Sequence, residues 1–600
     1  MGDMEALGGT EFDFVVVGGK ATFPGGTSGC LIASRLALDL PECRILLVEA
    51  GSDDSTDPDN LVPGLTKPKF GSEDGNWLYQ TAPQSELRNR QIVYPRGRGL
   101  GGCSANNFMA WVKGPSADYD DWARLVDDPW WRWENVKNVI NGLEDFRPGC
   151  PAGLEKYAKP TPGAHGRGGP IAVQFNPVWQ DLIVHCLEAS EQAGHVLNPD
   201  NNDGDPIGFA VAQFSVRDGV RVTSANAFLG QPQRQRLSNL TIVNNTLCSR
   251  VLFRGTKAAG VELVPSKPSS SSGGPPRAVC VGVKQEVILT AGTFQSAQLL
   301  LLSGIGPRAD LAALSIPVVV ESPAVGQRIR DHSAFACEYI VTPEIAGHNQ
   351  LLNSPDLLKV AQEEYALTKT GPMAMFGASA ALIFPRLPAV LSSTEFNQVD
   401  KTTQDFLEEP TRPSTEIWMH SGPLFYTGPC PSDASVLVIE GLNQNCLSEG
   451  HLKLRSRSPY DLPSVDPRYL THPLDHRVAI ETVREILRLA RTDALSKIIQ
   501  EPLLAPAGDT EADLNNFIRD NLTQGFHSMG SCVMGRSDDP RRVLNSRFEV
   551  EGTQGLRVAD MSVCPILTCN HTQVNAYLIG FRCAELVVQK ARESTARARL

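Results

Sequence analysis

The hydrophobic pattern at the start of the chain predicts a strand, a helix and a second strand. Residues 12–17 (FDFVVV) form a short apolar run, which a glycine-rich segment ends. A helical pattern, CLIASRLA, follows from Cys30, and residues 44–49 (RILLVE) form a second apolar run. Short apolar runs bounded by turn residues are typical of buried strands, so we expect a βαβ unit here.

Later segments add a strand, a helix and a loop to this picture. Residues 556–560 (LRVAD) predict another short strand, and the stretch from Thr572 to about Lys590 predicts a long helix. Residues 266–277 (SKPSSSSGGPPR) are too polar and too rich in turn residues to pack, so we expect an exposed hairpin loop there. The segments between these elements contain no internal repeats.

Glycines between the first strand and the first helix predict a dinucleotide site. A pyrophosphate bound at a helix N-terminus needs glycines for the tight turn and for close approach of the backbone. An acidic residue, Glu49, follows at the end of the second strand, where a carboxylate accepts the hydroxyls of an adenosine ribose. The predicted cofactor residues of this unit are Gly18, Gly19, Gly26, Thr27, Ser28, Gly29 and Glu49.

The spacing of these glycines departs from a regular G-x-G-x-x-G motif. Residues Lys20 to Gly25 (KATFPG) must loop out for the motif to form. Pro24 and the flanking glycines permit such a turn, so we expect the insert to bulge away from the pyrophosphate. Two alternatives stay open on this segment alone: the insert obstructs the cofactor, or the glycines form an ordinary turn in an α/β core.

Length and charge restrict the possible functions. Six hundred residues are enough for two hydrophobic cores, because single cores stop growing at about 250–300 residues. The net charge of -12 and the absence of a long Lys/Arg run argue against a nucleic-acid partner. We expect no membrane span, no signal peptide and no metal site, since no apolar window is long enough and the 14 Cys residues lack metal-type spacing.

Two longer segments resemble the signatures of a known enzyme family. Residues 97–120 begin with GRGLGGCSANNFMAWVKG and continue to Asp120, and residues 292–306 read GTFQSAQLLLLSGIG. Both are similar to signatures of the glucose-methanol-choline (GMC) oxidoreductases, with Ala297 where that family usually has Pro or Ser. Supporting matches occur in family order at VGQRIRDH (325–332), HSMGS (527–531) and NHTQ (570–573). The motifs most resemble those of aryl-alcohol oxidases and choline dehydrogenase-like members.

The resemblance implies an α/β fold with two domains. A Rossmann-like FAD-binding domain would combine residues 11–150, 220–330 and 525–600. A substrate-binding domain, built on an antiparallel β-sheet with helices, would combine residues 150–220 and 330–525. FAD would be bound non-covalently, because the sequence has Asn rather than His immediately before the last Asn of the first signature.

The resemblance also assigns residues to the cofactor. The glycine-rich run of the first signature would let the backbone lie against the flavin and its phosphates. The strand region 241–252 would present its backbone to the adenine, and the positive end of the last helix would favour the reduced flavin. These additional cofactor residues are Arg98, Gly101, Gly102, Cys103, Ser104, Asn107, Cys248, Asp560, Thr572 and Gln573.

His527 and His571 match the family's catalytic pair. In that family, the residue corresponding to His527 is the general base for an alcohol, and His571 corresponds to a partner that hydrogen-bonds the substrate oxygen. A neutral imidazole suits proton removal near neutral pH. Phe108 and Phe526 favour an aryl or otherwise apolar primary alcohol over a sugar, although both rings could equally pack a core. The electron acceptor would be O2 or a quinone.

Two other functions and one cellular location follow from the same sequence. Some GMC relatives are lyases or cyclases that keep FAD without net redox chemistry, and an obstructing insert at residues 20–25 would leave a cofactor-poor scaffold protein. The final tripeptide, Ala598-Arg599-Leu600, resembles the C-terminal peroxisomal address Ser-Lys-Leu. We therefore expect a peroxisomal protein, with the cytoplasm as the alternative if the tripeptide is only a frayed basic end.

Overall fold

Two β-sheets organise the protein. The computed structural model describes residues 4–18, 26–53, 55–66, 70, 72–73, 75–267, 277–345, 347–375, 380–422, 424, 428, 430–431 and 433–599, with side chains to residue 597. The predicted cofactor residue Gly19 and the insert from Lys20 to Gly25 lie outside the described residues.

The first sheet is mixed, with a parallel part that begins at the N-terminal βαβ unit. Its described strands, in spatial order, are Leu240–Val243, Ile45–Val48, Glu11–Val17, Val279–Leu289, Lys257–Pro265 and Thr246–Arg254; Leu556–Val558 also pairs with Val279–Leu289. The last four residues of the first strand in sequence are all buried. Parallel strands are covered on both faces, which explains why these runs are continuously apolar rather than alternating.

The first helix, Thr27–Asp39, crosses over the sheet and packs against the last helix, Gln573–Arg599. Ser28 Oγ donates a hydrogen bond to the backbone oxygen of Ala576 at 2.7 Å. The side of the first helix that meets this partner is buried, so the two ends of the chain share one core. This contact places the N-termini of both helices near each other.

The second sheet is antiparallel. Its described strands, in spatial order, are Ile499–Leu504, Ser333–Val341, Ser435–Asn443, Thr415–Ser421, Ala381–Phe384 and Gly208–Val211; Thr523–Gln524 also pairs with Ser333–Val341. Helices Pro473–Ala490 and Asp181–Gln192 pack against it. Every residue of its three central strands is buried, so its other face is covered as well.

The observed elements confirm the predicted α/β fold with an antiparallel second sheet, and they correct two details. The predicted strand over residues 241–252 is two strands, because the chain turns at Asn245, which has a left-handed φ of 50° that Asn tolerates. The last helix continues past Lys590 to Arg599, since its final turns consist largely of strong helix formers. The predicted domain boundaries stay a prediction.

The polar segment at residues 266–277 connects two neighbouring strands of the first sheet. Strand Lys257–Pro265 ends before it and strand Val279–Leu289 begins after it, and the two pair antiparallel. Residues 268–276 lie outside the described part. In the part of the chain that the structure describes, no helix combines the length and apolar character needed to cross a membrane.

Candidate active site

One large cavity is lined by the N-terminal ends of the first and last helices and by the second sheet. It encloses about 1110 Å³, including its open mouth. Backbone and side chains of residues 26–28 and 572–573 line it from the first and last helices, and Trp418, Glu440 and Leu442 line it from the second sheet. The cavity therefore connects the dinucleotide-binding unit with the predicted substrate region.

The two predicted catalytic histidines meet in this cavity. The ring centroids of His527 and His571 lie 4.9 Å apart, and both residues line the cavity while being largely buried. His527 follows the short strand Thr523–Gln524, and His571 immediately precedes the last helix. Residues 44 positions apart in sequence are thus brought close enough to share one substrate atom.

A network of hydrogen bonds fixes the backbone at His527. Its N–H donates to Asp331 Oδ1 at 2.8 Å, and Asp331 Oδ2 accepts hydrogen bonds from the hydroxyls of Tyr94 at 2.6 Å and Tyr469 at 2.7 Å. Burial raises the pKa of Asp331 to about 6, although these donors oppose the rise. The Asp331 carboxylate thereby fixes the position of the backbone at His527.

The residue before the base has an unusual backbone conformation. Phe526 has a φ of 61°, in the left-handed region that non-glycine residues seldom adopt. Arg96 Nη1 donates to its carbonyl oxygen at 2.8 Å. Such conformations persist only where the surroundings hold them, and they concentrate at functional sites. The turn directs both the Phe526 ring and the His527 ring into the cavity.

Electrostatics keep His527 neutral. Burial lowers its pKa well below the usual range, and the nearby His571, His332 and Arg96 lower it further. An uncharged imidazole offers one ring nitrogen with a lone pair, as a general base requires. The site therefore has a proton acceptor that stays unprotonated in mildly acidic solution.

Glu416 holds the second histidine. His571 Nε2 lies 2.8 Å from Oε1 of this carboxylate, which is fully buried and also accepts a hydrogen bond from Gln444 Nε2 at 3.2 Å. Since a carboxylate only accepts, Nε2 carries a proton and Nδ1 is the nitrogen left for a ligand. When protonated, His571 forms an ion pair with Glu416 and offers Nδ1–H to an oxygen in the cavity.

Aromatic rings of the described residues surround the histidines. Phe108 and Phe526, both predicted, line the cavity with ring centroids 6.3 Å apart. Phe70 packs against both, at 4.9 and 4.6 Å, and Trp418 lies 5.1 Å from His571. The sequence reasoning missed Phe70, Trp418 and Glu416. The sequence TEIWMHS (415–421) could have indicated two of these residues. Glu416 and Trp418 alternate with apolar residues there, so they share one face of a strand.

The structure gathers most, but not all, of the predicted cofactor residues around this cavity. Those that line it are Gly26, Thr27, Ser28, Cys103, Ser104, Asn107, Asp560, Thr572 and Gln573. Arg98 and Gly102 line a smaller cavity that shares Asn106 with the large one. The remaining predicted residues do not line either cavity, and they are Gly18, Gly29, Glu49, Gly101 and Cys248.

The position of each outlying residue has a structural reason. Gly18 follows the first strand, and Gly29 lies inside the first helix. Glu49 directly follows the second strand, Ile45–Val48, and its Oε1 accepts from the Gly51 N–H at 2.6 Å. Gly101 needs its φ of 98°, and a Cβ there would lie 3.1 Å from the Ala225 Cβ. Cys248 is buried within a strand of the first sheet.

The donor groups at the cavity fit FAD. The first helix begins after Gly26, whose lack of a side chain leaves the first N–H groups without a capping acceptor, and its first turn contains no acidic residue. Such an end binds phosphate. Asp560, buried at the cavity, is held by the N–H groups of Gly292 at 2.9 Å and Ser562 at 2.8 Å. Among the described residues, no cluster of His, Cys, Asp and Glu could hold a metal ion.

Comparisons with known proteins agree with this geometry. Two models described as GMC oxidoreductase match residues 17–334 and 447–580. The glucose methanol choline oxidoreductase atC of Aspergillus terreus is 30% identical over 592 residues, which cover 97% of this chain and 93% of that protein. Mitochondrial choline dehydrogenase of Mus musculus is 31% identical over 602 residues, covering 97% of this chain and 90% of that protein.

Solved structures show the same fold. A fungal aryl-alcohol oxidase superposes with a TM-score of 0.80 at 22% identity, covering 97% of this chain and 99% of that one. The first family model alone spans more than half of the chain. The chain therefore belongs to the GMC oxidoreductase family and is an FAD-dependent oxidoreductase that acts on CH–OH groups.

Proposed function

We propose that the protein oxidises a primary alcohol with an aryl or otherwise apolar substituent to its aldehyde, with His527 as the general base. The observation that carries this proposal is the pair of histidine rings 4.9 Å apart in a cavity lined by aromatic residues. Bound FAD supplies the acceptor for the hydride, at its N5. The protein supplies the base, the hydrogen-bond donor to oxygen and the apolar walls.

Proton removal needs both histidines. An alcohol with a pKa of roughly 15.7, like water, is about 9 units above an ordinary imidazole, so full deprotonation beforehand would cost about 12 kcal/mol. The lowered pKa of His527 makes that gap wider. Proton removal by His527 is therefore coupled to loss of the hydride from carbon, while His571, held by Glu416, stabilises the developing charge on oxygen.

The aromatic walls set the preference for the substrate. Phe70, Phe108, Phe526 and Trp418 form a continuous series of tilted and edge-on contacts. Each aromatic pair contributes about 0.5–1.5 kcal/mol beyond simple burial. One such contact gives an aryl alcohol an advantage of up to about tenfold over an aliphatic alcohol of similar size. A sugar would leave several hydroxyls against apolar rings, which is unfavourable.

An anaerobic substrate panel tests the proposal. We expect benzyl alcohol to bleach the oxidised-flavin band of the purified protein. We expect kcat/KM for benzyl alcohol to exceed that for 1-hexanol by up to about tenfold, and to exceed those for glucose and choline by a larger factor. A yellow protein that no alcohol bleaches would favour the FAD-containing lyase or cyclase alternative. A colourless protein that FAD does not reconstitute would favour the scaffold alternative.

We propose that FAD is held without a covalent bond. Asn106, at the position where some relatives carry the tethering His, lines the large cavity but has no nucleophilic side chain. We expect acid precipitation to release all of the flavin into the supernatant as intact FAD, measured by chromatography. Replacing Asn106 with His provides a matched control for detecting a tether. Flavin that stays with the wild-type precipitate would contradict the proposal.

We propose a peroxisomal location, carried by the last three residues. The last helix is exposed from Arg592 to Arg597, and the side chains of residues 598–600 lie outside the described part. Residues at chain ends are generally poorly ordered and exposed, and an exposed preceding helix end is compatible with access by a receptor. We expect a fluorescent protein carrying the last twelve residues to form puncta in eukaryotic cells and the same fusion without Leu600 to be diffuse. Diffuse fluorescence from both fusions would return the protein to the cytoplasm.

A further inference from the structure

A third histidine contacts the ring of the candidate base. His332 Nδ1 lies 2.8 Å from His527 Nδ1, with the ring centroids 5.0 Å apart and the planes nearly perpendicular at 89°. His332 is fully buried at the start of strand Ser333–Val341, and its neighbour Asp331 holds the backbone of His527. Two consecutive residues therefore hold the backbone and the ring of His527.

Both rings are neutral. Burial lowers the pKa of His332 to about 3 and lowers that of His527 well below its usual range. Two neutral imidazole nitrogens 2.8 Å apart form a hydrogen bond only if one carries a proton and the other offers a lone pair. The tautomers of the two rings are therefore coupled. A proton on His527 Nδ1 leaves its Nε2 bare, and a proton on His332 Nδ1 forces the opposite arrangement.

The proposed role of His527 selects between these two states. His332 Nε2 is buried and has no hydrogen-bond partner among the described residues, so contacts at that nitrogen favour neither tautomer of His332. The nitrogen of His527 that faces His332 is Nδ1, which leaves Nε2 for the substrate. A base needs that Nε2 bare, so Nδ1 of His527 carries the proton and His332 accepts at Nδ1.

We propose that His332 is a positioning residue that sets the tautomer of His527, so that the His527 Nε2 lone pair faces the substrate hydroxyl. This inference rests on the proposed function, in which His527 is the base. When His527 takes the alcohol proton on Nε2, its Nδ1–H remains donated to His332, which stabilises the imidazolium. The carboxylate of a Ser-His-Asp triad does the same for its histidine, and the wrong tautomer there costs about 10⁴ in kcat.

Nitrogen NMR tests the tautomer directly. Holoenzyme labelled with ¹⁵N in its histidine rings is compared with His527→Ala to assign the His527 signals. We expect a protonated Nδ1 and a bare Nε2 in the wild type. In His332→Asn, whose side-chain oxygen can accept near the Nδ1 position, we expect the same state. In His332→Leu, which removes the acceptor, we expect a loss of that preference. A protonated Nε2 on His527 of the wild type overturns the proposal.

Single-turnover kinetics separate this inference from the proposed function. We expect His332→Leu to lower the limiting rate of anaerobic flavin reduction by benzyl alcohol at least about tenfold, with the dissociation constant of the alcohol unchanged, and His332→Asn to recover most of the rate. Equal rates in all three proteins overturn the inference. A normal rate in His527→Ala refutes the proposed base instead, whatever the tautomer. If His332→Leu fails to fold, the wild-type spectrum and His332→Asn still decide.

Discussion

Replacing His527 with alanine lowers the limiting rate of flavin reduction by about 10²–10⁴-fold, the range for losing a general base. The alcohol then loses the imidazole that burial keeps neutral, and the neighbouring His571, held by Glu416, is the group that stabilises the charge on the substrate oxygen. Stopped-flow reduction by benzyl alcohol without oxygen measures the rate. The absorption spectrum of the bound flavin should stay close to that of the wild type.

The control for this prediction is a neighbouring aromatic residue. Phe526→Leu keeps an apolar side chain beside the base and should change the affinity for an aryl alcohol more than the rate constant, since an aromatic contact is worth only about 0.5–1.5 kcal/mol. If His527→Ala instead lost FAD and kept its rate per bound flavin, His527 would be a structural residue.

Replacing Glu416 with leucine has the second largest expected effect. The change removes the acceptor that fixes His571 Nε2 and the charge that balances its protonated form. We expect kcat to fall by about 10–100-fold, the range for removing the outer hydrogen-bond partner of a metal-bound imidazole. Steady-state kinetics should show the same fold decrease in kcat for several alcohols, because the variant weakens a contact with the hydroxyl oxygen that all of these substrates have.

Glu416→Gln is the matched variant. Its side-chain oxygen can still accept from His571, and its amide N–H can be satisfied by a flip of Gln444, whose Oε1 has no hydrogen-bond partner. We expect it to recover most of the lost rate. If kcat fell equally in the Leu and Gln variants, the negative charge of Glu416 rather than its hydrogen-bond acceptor would be the important property. If kcat fell in neither variant, Glu416 would have no role in orienting His571.

The local pattern of the sequence predicted the N-terminal strand, helix and strand, and the family motifs predicted the two histidines of the candidate site. A short window of hydrophobic and polar positions is enough to identify each of these elements, which are strand Glu11–Val17, helix Thr27–Asp39 and strand Ile45–Val48. The resemblance named His527 and His571 because both occur in short recognisable motifs. Their meeting in one cavity required the three-dimensional structure.

The supporting residues could not be predicted from local pattern. Glu416 is 155 positions from His571, and His332 is 195 positions from His527. Strand pairing and domain packing bring such residues together, and neither is encoded in a short window. His332 lies in the family-like segment VGQRIRDH (325–332), yet nothing in that segment indicates which ring it contacts.

The contact between the first and last helices has a consequence for synthesis. Ser28 and its partner Ala576 are 548 positions apart. At about 5–20 residues per second, a ribosome needs roughly 30–110 s to make the chain between them. Throughout that interval, the apolar face of helix Thr27–Asp39 lacks its partner. Chaperones that cover apolar surface should therefore bind the nascent chain, and FAD should load only after release of the C-terminus.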